Sequence, residues 1–482
     1  MIDLGAFVVN AILIVPALSA ALLALLPDDR TTARLNALAT LLTLLCATAL
    51  FFVRPEPGMF LIVDDVNVVF IVLTTFVGFT TSVFSATYIA HELETGRLSP
   101  AYLRFYHAMY QTLMFAMNLA LLSNNVGLMW VAVELATLTT VLMVGIYRTH
   151  EALEAAWKYF ILGSVGIALA LFGTILVYLA SSSVLGEGLE AMAWSILVQR
   201  ASAFDPALLN LAFVFILLGY GTKVGLAPLH AWLPDAHAEG PTPISAVLSG
   251  LLLNVALFAV LRFKMLMSAN EGALAPGPLM VTLGLVSVVF ASFMLYRRHD
   301  IKRMFAYSSI EHMGIISFAF GMGGPLANFA ALLHMVMHSL TKSAIFFAVG
   351  HIAQVKGTQK MAEIRGLTVS HPVLGWGLVA GVVTIAGLPP MGLFMSEFLI
   401  LSSTFARAPV LAVVMGLGLL IALGALLGHL NALAFGAAHG SDAPARASFV
   451  PMFTHLALVL AAGIYLPGPL VAWFQNVASL LR

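Results

Sequence analysis

Charged residues are scarce in this sequence. Asp, Glu, Lys and Arg make up 9% of its 482 residues, whereas 61% are hydrophobic; a typical soluble domain has roughly 25% charged residues. The mean hydropathy of the chain is +1.00. The composition excludes a soluble globular protein and predicts an integral membrane protein.

Net charge and cysteine are lacking as well. The formal net charge is zero, so nothing favours long-range attraction to nucleic acid. The one cysteine, Cys46, excludes an intrachain disulfide and a cysteine-ligated iron–sulfur cluster. We expect no cofactor in this chain, and electron chemistry would have to lie elsewhere.

Apolar runs of about eighteen or more residues recur along the whole chain, and each can cross a hydrocarbon core of about 30 Å as a helix. They predict an all-α integral membrane protein with about fourteen transmembrane helices and no soluble domain between them. The predicted spans are residues 4–27, 33–53, 66–89, 103–123, 126–147, 157–181, 207–228, 243–266, 276–296, 302–322, 326–354, 372–404, 409–436 and 449–474.

The loop cations predict the orientation of these spans. Fourteen Lys and Arg residues, from Arg30 to Arg446, follow odd-numbered spans, and six, from Arg54 to Arg482, follow even-numbered spans or end the chain. By the positive-inside rule both termini lie on the non-cytoplasmic side. The first run has no Lys or Arg before it, unlike a secretory signal peptide, so we expect it to be retained.

A few ionisable side chains fall inside the predicted spans, where each costs about 2.5–3.5 kcal/mol on insertion scales and is a functional hypothesis by default. His334, His338 and Lys342 are spaced i, i+4, i+8, so they share one stripe of the eleventh span. A single histidine here is as readily a core side chain bonded to a carbonyl, but the stripe together with two buried lysines favours function. The full set is Glu134, Lys223, Glu311, His312, His334, His338, Lys342, Glu397 and His429.

Two spans are interrupted as well as charged. In the seventh, Pro228 follows Lys223, and in the twelfth, Pro389 and Pro390 precede Glu397. Each proline removes a backbone donor and leaves carbonyls for water or side chains. Such interruptions at corresponding positions are typical of inverted-repeat transporters. Because spans seven and twelve are five apart, spans four to eight predict a five-helix unit that recurs, inverted, as spans nine to thirteen.

The predicted organisation therefore has four parts. They are an N-terminal three-helix segment at 1–100, a first inverted repeat at 101–268, a second at 275–437 and a C-terminal span at 448–482.

Superposing the two repeats pairs their polar groups, although the residue types differ. The pairs are Glu134 with Glu311 and His312, Lys223 with Glu397, and Asn254 with His429. Such a series suits proton movement, because a change in the distance between Glu134 and Lys223 would load or unload the lysine.

A resemblance to a known family is carried by four stretches, which read KVGLAPLHAWLPDAHAEGPTPISAVLSG, YSSIEHMGIISF, HMVMHSLTKSAIFFAVGHI and GLPPMGLFMSEF. They resemble the antiporter-like proton-translocating subunits shared by respiratory complex I, Mrp cation/proton antiporters and membrane-bound hydrogenases. The stretches EALEAAWKYFILGSVGIALALFGTILVYL and HIAQVKGTQKMAEIRGL look most like the F subunit of hydrogenase-4 and formate hydrogenlyase-type complexes. The resemblance covers nearly the whole chain.

The resemblance implies a fourteen-helix fold with two inverted five-helix repeats and a hydrated polar axis across the membrane plane. Glu134 matches the acidic residue of the fifth helix, Lys223 the lysine of the broken seventh, and Glu397 the ionisable residue of the broken twelfth. The connecting positions of the axis are matched by His312, His338 and Lys342.

The implied function is proton translocation by a non-redox membrane subunit of a hydrogenase-4-like, formate hydrogenlyase-like or complex I-like complex in the bacterial inner membrane. The implied partners are other antiporter-like and core membrane subunits and hydrophilic hydrogenase-like large and small subunits. NiFe and iron–sulfur centres are expected on those partners.

One position departs from the family pattern. Where complex I and Mrp relatives usually carry a lysine in the eighth helix, this chain has Asn254. Asparagine hydrogen-bonds water but carries no proton charge, so transfer from Lys223 to the second half would need water or His312.

Four rival interpretations remain open. His230, Asp235, His237 and Glu239 have the ligand types of a zinc site, but the prolines around them favour a rigid cytoplasmic exit in which His230 and His237 anchor the loop or take up protons. Two histidine pairs thirteen residues apart, His299/His312 and His338/His351, are typical of a two-haem electron-transfer subunit, although His299 lies in a charged loop. A sodium/proton antiporter of complex I or Mrp type is the third, and a bracing subunit that does not pump is the fourth.

Overall fold

The structure is a computed structural model in which residues 4–439, 443–444 and 447–481 are described. Arg446 and Arg482, two of the cations that predicted the orientation, lie outside the described residues. Within the described part the chain is helical throughout and forms no β-strand, only isolated bridges between loops.

Twenty α-helices account for the architecture. In chain order they are α1 Leu4–Leu25, α2 Asp29–Ala49, α3 Asp65–Glu94, α4 Pro100–Leu122, α5 Val126–Val144, α6 His150–Leu185, α7 Trp194–Arg200, α8 Pro206–Val224, α9 Leu233–Glu239, α10 Thr242–Val247, α11 Leu253–Ser268, α12 Gly277–Leu295, α13 Ile301–Met322, α14 Pro325–Lys356, α15 Leu367–Ser370, α16 Pro372–Ile385, α17 Gly392–Arg407, α18 Pro409–Ala434, α19 Val450–Ile464 and α20 Gly468–Leu480. A π-helical turn, Leu248–Leu252, joins α10 to α11.

Local sequence explains where many of these helices begin. Asp64 and Asn67 form a capping box at the start of α3, and the side chains of Asn125, Thr149 and Asp300 accept from backbone N–H groups at the starts of α5, α6 and α13. A side-chain oxygen at this position satisfies a donor that the helix itself cannot.

Ten helices of the described chain are long and apolar enough to cross a membrane, or eleven if the bent pair α19 and α20 is one span. Helices α4 and α13 have a similar length, 23 and 22 residues, but carry more polar side chains. The interrupted span twelve is divided between α16 and α17, so no single long helix represents it, whereas span seven is represented by α8, which ends at Val224 before the break. The predicted number of fourteen spans stays a prediction.

Both interruptions contain the prolines. Helix α8 ends at Val224, where Gly225 adopts a left-handed conformation with φ of 80°, and Pro228 lies in the non-helical stretch 225–232. Helix α16 ends at Ile385, and Pro389 and Pro390 lie before α17 begins. Two polar side chains, Lys223 and Glu397, therefore lie within about two turns of a helix break.

The last predicted span is not one straight helix, which corrects the expectation for residues 449–474. Helices α19 and α20 meet at 85°, because Pro467 cannot continue the helix and disfavours helical geometry at the residue before it. Helix α20 is held by its C-terminal carbonyls: Lys264 Nζ donates to Leu481 O at 2.6 Å and Asn328 Nδ2 donates to Ala478 O at 3.1 Å.

Helix α14 lies at the centre of the second half. Its most apolar window is 94% buried, against 33% for α18 at the periphery, and it packs against α13, α16, α17, α19 and the π turn. In the first half α6 packs along α8. The polar residues of the two broken spans therefore face protein rather than lipid.

Candidate functional site: two buried polar clusters

The first cluster surrounds Lys223 at the end of α8. Its side chain is 1% exposed, and its ammonium lies 5.6 Å from the ring centre of Tyr159 on α6. Lys223 Nζ has no hydrogen-bond partner among the described residues, and neither does the buried Oε2 of Glu134 on α5. No ion pair within 4 Å joins the two in the described chain. Lys223 is buried and Glu134 is half-buried, so they form a separated pair of ionisable groups.

Small and aromatic residues hold the lysine in place. A methyl group on Gly163 of α6 would lie 2.7 Å from Lys223 Nζ, so a larger residue at this position would force the end of the lysine side chain to shift. Trp232 Nε1 donates to Thr222 O at 2.8 Å, and its ring stacks on Tyr159 at 4.1 Å. The indole thus gives this carbonyl at the helix end a second donor, beside the backbone N–H of Gly225 at 3.2 Å.

The second cluster is a hydrogen-bonded chain across three helices. His312 Nδ1 of α13 lies 3.0 Å from His334 Nε2 of α14, and His334 Nδ1 lies 2.9 Å from Ser396 Oγ of α17. His312 Nε2 lies 3.1 Å from Ile385 O at the end of α16. The ring of His338, one turn along α14, stacks on His312 with 5.4 Å between centres.

Counting hydrogens shows that this chain has two arrangements. Ile385 O only accepts, so His312 Nε2 carries a proton. With both rings neutral, His312 Nδ1 accepts from His334 Nε2, and His334 Nδ1 accepts from the Ser396 hydroxyl. If Ser396 donates instead to Leu393 O, 2.8 Å away, His334 Nδ1 must donate and the pair holds one more proton. The Ser396 hydroxyl turns between the two arrangements.

Two carboxylates and a lysine adjoin the histidines. Glu397 and Glu311 line one small cavity of about 10 Å³, which is room for roughly a single water. Gly387, with φ of 64°, lies against the Glu397 carboxylate, where a Cβ atom would clash. Lys342 is fully buried and donates to Phe305 O at 2.8 Å. Glu311 is the acidic residue whose charge interacts with this lysine.

Asn254 faces α14 from the other side. Its Nδ2 donates to Ser339 Oγ at 2.6 Å and to Gly250 O at 3.0 Å. Gly250 lies in the π turn, whose altered register aims Asn254 at α14; π turns occur often at functional sites. Asn254 is therefore in contact with the helix that carries His338 and Lys342.

Comparison with known proteins places these clusters in a family. A family model described as NADH:quinone oxidoreductase/Mrp antiporter, transmembrane, matches residues 123–424, which include every residue of both clusters. The chain belongs to this family of antiporter-like membrane subunits. It is 63% identical to the hydrogenase-4 component F homologue of Methylacidiphilum infernorum (isolate V4), over 98% of this chain and 99% of that one. The resemblance seen in the sequence is confirmed.

Solved structures show the same fold at low identity. A chain of the membrane-bound sulfane sulfur reductase, an archaeal respiratory membrane complex, matches with a TM-score of 0.88 and 22% identity over 98% of this chain and 97% of that one. A chain of the Mrp complex from Dietzia sp. DQ12-45-1b matches with 0.84 and 18% identity over 98% and 96%. The antiporter-like subunit fold is thus an integral membrane fold found in multi-subunit complexes.

Several predicted site residues of this antiporter-family chain lie outside the two clusters. His429 Nε2 is 3.1 Å from Leu295 O, so it bonds the end of α12. His230 lies against the rings of Phe290 and Tyr307. His237 is fully buried, and its ring stacks on that of Phe346 of α14 with 4.9 Å between the ring centres. The charges of Lys342 and Lys302 interact with this histidine.

The acids of the rival zinc reading face cations. Asp235 is 3.1 Å from Lys158 Nζ and 3.3 Å from Arg303, and Glu239 is 3.3 Å from the same arginine. These ion pairs tie α9 to α6 and α13.

Sequence reasoning missed other polar residues at membrane depth. Nothing in the sequence distinguishes Ser396 and Tyr159 from other residues of the apolar runs. Their roles become visible only once the helices pack together. His455 of α19 is different: it is buried, 2.8 Å from Thr80 Oγ1 and 3.0 Å from Leu340 O. The rule that selected His429, a histidine inside an apolar run, also selects His455 and the buried His107 of α4.

Proposed function

We propose that this chain conducts protons across the membrane as the antiporter-like subunit of a hydrogenase-4-like or complex I-like complex, with free energy supplied by redox partner subunits. One observation carries the proposal: each broken span places an ionisable group, Lys223 or Glu397, in a buried cluster with further titratable groups. Such groups are expensive in a membrane and mark ion pathways.

The first cluster supports loading and unloading of a proton at Lys223. A buried ammonium without a hydrogen bond depends on its carboxylate partner for stabilisation. A small movement of α5 relative to α8 changes the distance from Glu134 to Lys223, and with it the preference for the charged lysine. Gly163 leaves space beside the ammonium, because it carries no side chain.

The second cluster supports transfer through the second half. The two arrangements of His312, His334 and Ser396 differ by one proton, so the chain can take a proton from one side and release it on the other. The cavity shared by Glu311 and Glu397 offers a water position between these acids. Asn254 and Ser339 lie between the halves as hydrogen-bonding, uncharged groups.

The assembly of the complex is part of the proposal. The 63% identical relative carries the name hydrogenase-4 component F homologue, which supports a hydrogenase-like partner with large and small hydrophilic subunits that hold NiFe and iron–sulfur centres. Moving one charge across 100 mV takes about 2.3 kcal/mol, which a modest drop in redox potential in those partners supplies. The membrane is expected to be the bacterial inner membrane, with both termini on the non-cytoplasmic side.

The test is proton movement in inside-out membrane vesicles that contain the intact complex. Lys223→Ala and Glu397→Gln are expected to abolish it while assembly is retained. Exposed residues provide matched controls: Lys360→Ala and Glu151→Gln should leave it unchanged. Undiminished proton movement in both site variants would reject the axis. If the purified chain in liposomes exchanged sodium for protons by itself, the antiporter reading would replace a subunit role that depends on partners.

A further inference from the structure

We propose that His312, His334 and Glu397 form a binding site for a zinc ion between α13, α14 and α17. One ligand atom from each of the three residues lies within 4.8 Å of the other two. The residues come from three helices, so the site exists only in the folded chain.

The two imidazoles already face each other with nearly the separation that zinc requires. Tetrahedral Zn²⁺ with bonds of about 2.0–2.1 Å to nitrogen places neighbouring ligands about 3.3–3.4 Å apart. His312 Nδ1 and His334 Nε2 are 3.0 Å apart. For zinc to bind both nitrogens, the contact must widen by a few tenths of an ångström and the rings must turn until both lone pairs point at the ion.

The far nitrogens of both rings are held as zinc ligands usually are. A metal-bound histidine almost always bonds through its other nitrogen to a carbonyl, carboxylate or water, which fixes the ring and its tautomer. His312 Nε2 has Ile385 O at 3.1 Å, and His334 Nδ1 has Ser396 Oγ at 2.9 Å. His312 Nδ1 and His334 Nε2 are thus the two ring nitrogens that face each other.

The third ligand and the available space fit the same ion. Imidazole and carboxylate together favour zinc over magnesium or calcium, which prefer oxygen alone. Glu397 is 8% exposed and supplies a carboxylate oxygen. The cavity of about 10 Å³ beside Glu397 holds about one water. An open zinc site keeps one position for water.

Binding rearranges the protons of the site. When both rings are neutral, the proton on His334 Nε2 moves to Nδ1, which then donates to Ser396 Oγ while the hydroxyl donates to Leu393 O, and two Zn–N bonds form. When the pair holds one more proton, that proton leaves to solvent. The ion also ties α17 to α13 and α14. If zinc binding blocks proton movement, that effect depends on the proposed function. The binding of zinc itself does not depend on it.

The experiment measures zinc binding to the purified full-length chain in detergent, with zinc sulfate as the only added ion and equilibrium dialysis as the assay. His334→Gln and Glu397→Gln should each lose one equivalent or weaken it at least about tenfold. His455→Gln is the matched control, since His455 is a buried histidine outside the triad, and it should bind as the unchanged chain does.

X-ray absorption at the zinc edge then identifies the ligands. We expect two imidazoles at about 2.0 Å in the unchanged chain, and a lost imidazole signal in His334→Gln. Unaltered stoichiometry and affinity in both triad variants, or a spectrum without imidazole, would overturn the proposal. Because no turnover is involved, failure of the proton pathway leaves this result interpretable.

Discussion

Gly163 of α6 faces the ammonium of Lys223 on α8, and a methyl group at position 163 would lie 2.7 Å from Nζ. The same ideal methyl position is 3.4 Å from Thr137 Cγ2 and 3.7 Å from the Tyr159 ring, which are ordinary contacts. The added atom would therefore act chiefly on the lysine. This glycine is a space holder for a charged group.

We expect Gly163→Ala to lower proton movement by the intact complex at least about tenfold while leaving assembly unchanged, a barrier increase of about 1.4 kcal/mol. Alanine favours a helix over glycine by about 1 kcal/mol, so a weakened helix cannot explain the loss. Proton uptake in vesicles measures the effect. Gly416→Ala, on α18 with nothing within 4 Å of the added atom, is the control. Full activity of Gly163→Ala would mean that the position of Nζ is not critical.

Ser339→Ala tests the bridge between the halves. Ser339 Oγ accepts from Asn254 Nδ2 at 2.6 Å, and loss of one buried hydrogen bond costs about 0.5–1.5 kcal/mol. If Asn254 passes protons through this contact, the variant should slow proton movement several-fold, about tenfold at most. Ser343→Ala, one turn along α14 and bonded to Ser339 O, should have little effect. Equal rates of proton movement in the two variants would mean that protons do not pass through the contact between Asn254 and Ser339.

Some features of the fold and of the candidate site can be predicted from the sequence alone. The stripe of His334, His338 and Lys342 follows from helical periodicity, which is a local property. The breaks around Pro228 and Pro389 follow from the missing N–H and the ring clash, which are local too. These features need no knowledge of the partner helices.

Contacts between segments that are distant in the sequence could not be predicted from local patterns. Ser396 resembles any serine of an apolar run, and only the packing of α17 against α14 brings it 2.9 Å from His334. The superposed repeats paired His429 with Asn254, yet His429 bonds the end of α12 and Asn254 faces α14, because position in a span does not fix which face looks inward. Pro467 could have predicted the 85° bend before α20, but the apolar residues on both sides of it favoured one continuous span.

Asp300, at the start of α13 and outside the membrane, gives a test in pH. Burial raises the pKa of this carboxyl above its ordinary value of 3.8, so the folded chain binds the proton more tightly than the unfolded chain. The stabilisation is full below pH 3.8 and is lost as pH rises through the folded-state pKa. Asparagine caps helices as well as aspartate but does not titrate.

The expected outcome is that Asp300→Asn gains thermal stability relative to the unchanged chain as the pH rises from about 4 towards 7. Melting temperatures of the two proteins in one detergent, measured at matched pH values, give the difference directly. Asp205→Asn, which changes the cap of α8, controls for the general effect of replacing a capping acid. A difference that shrinks with rising pH would contradict the assigned direction.

Arg262 of α11 is a structural charge rather than a transport group. It is 1% exposed, its Nη1 lies 2.7 Å from Asp64 Oδ2, and its guanidinium lies 4.0 Å from the ring centre of Trp194. The ion pair is close but not aligned as a hydrogen bond, since Nη1 meets no hydrogen-bond geometry within the described chain. It joins α11 to the cap of α3.

Arg262→Met should destabilise the chain by about 2–3 kcal/mol, less than the 3–5 kcal/mol typical of a fully buried pair, because Asp64 is 24% exposed at its side chain and regains water. Unfolding by SDS titration in mixed micelles measures the change. The exposed Arg200→Ala should stay within about 0.5 kcal/mol. Asp64→Asn and the double variant complete a cycle: a double variant no less stable than Arg262→Met assigns the loss to the pair, whereas additive losses would assign it to the cap of α3 and the Trp194 contact separately.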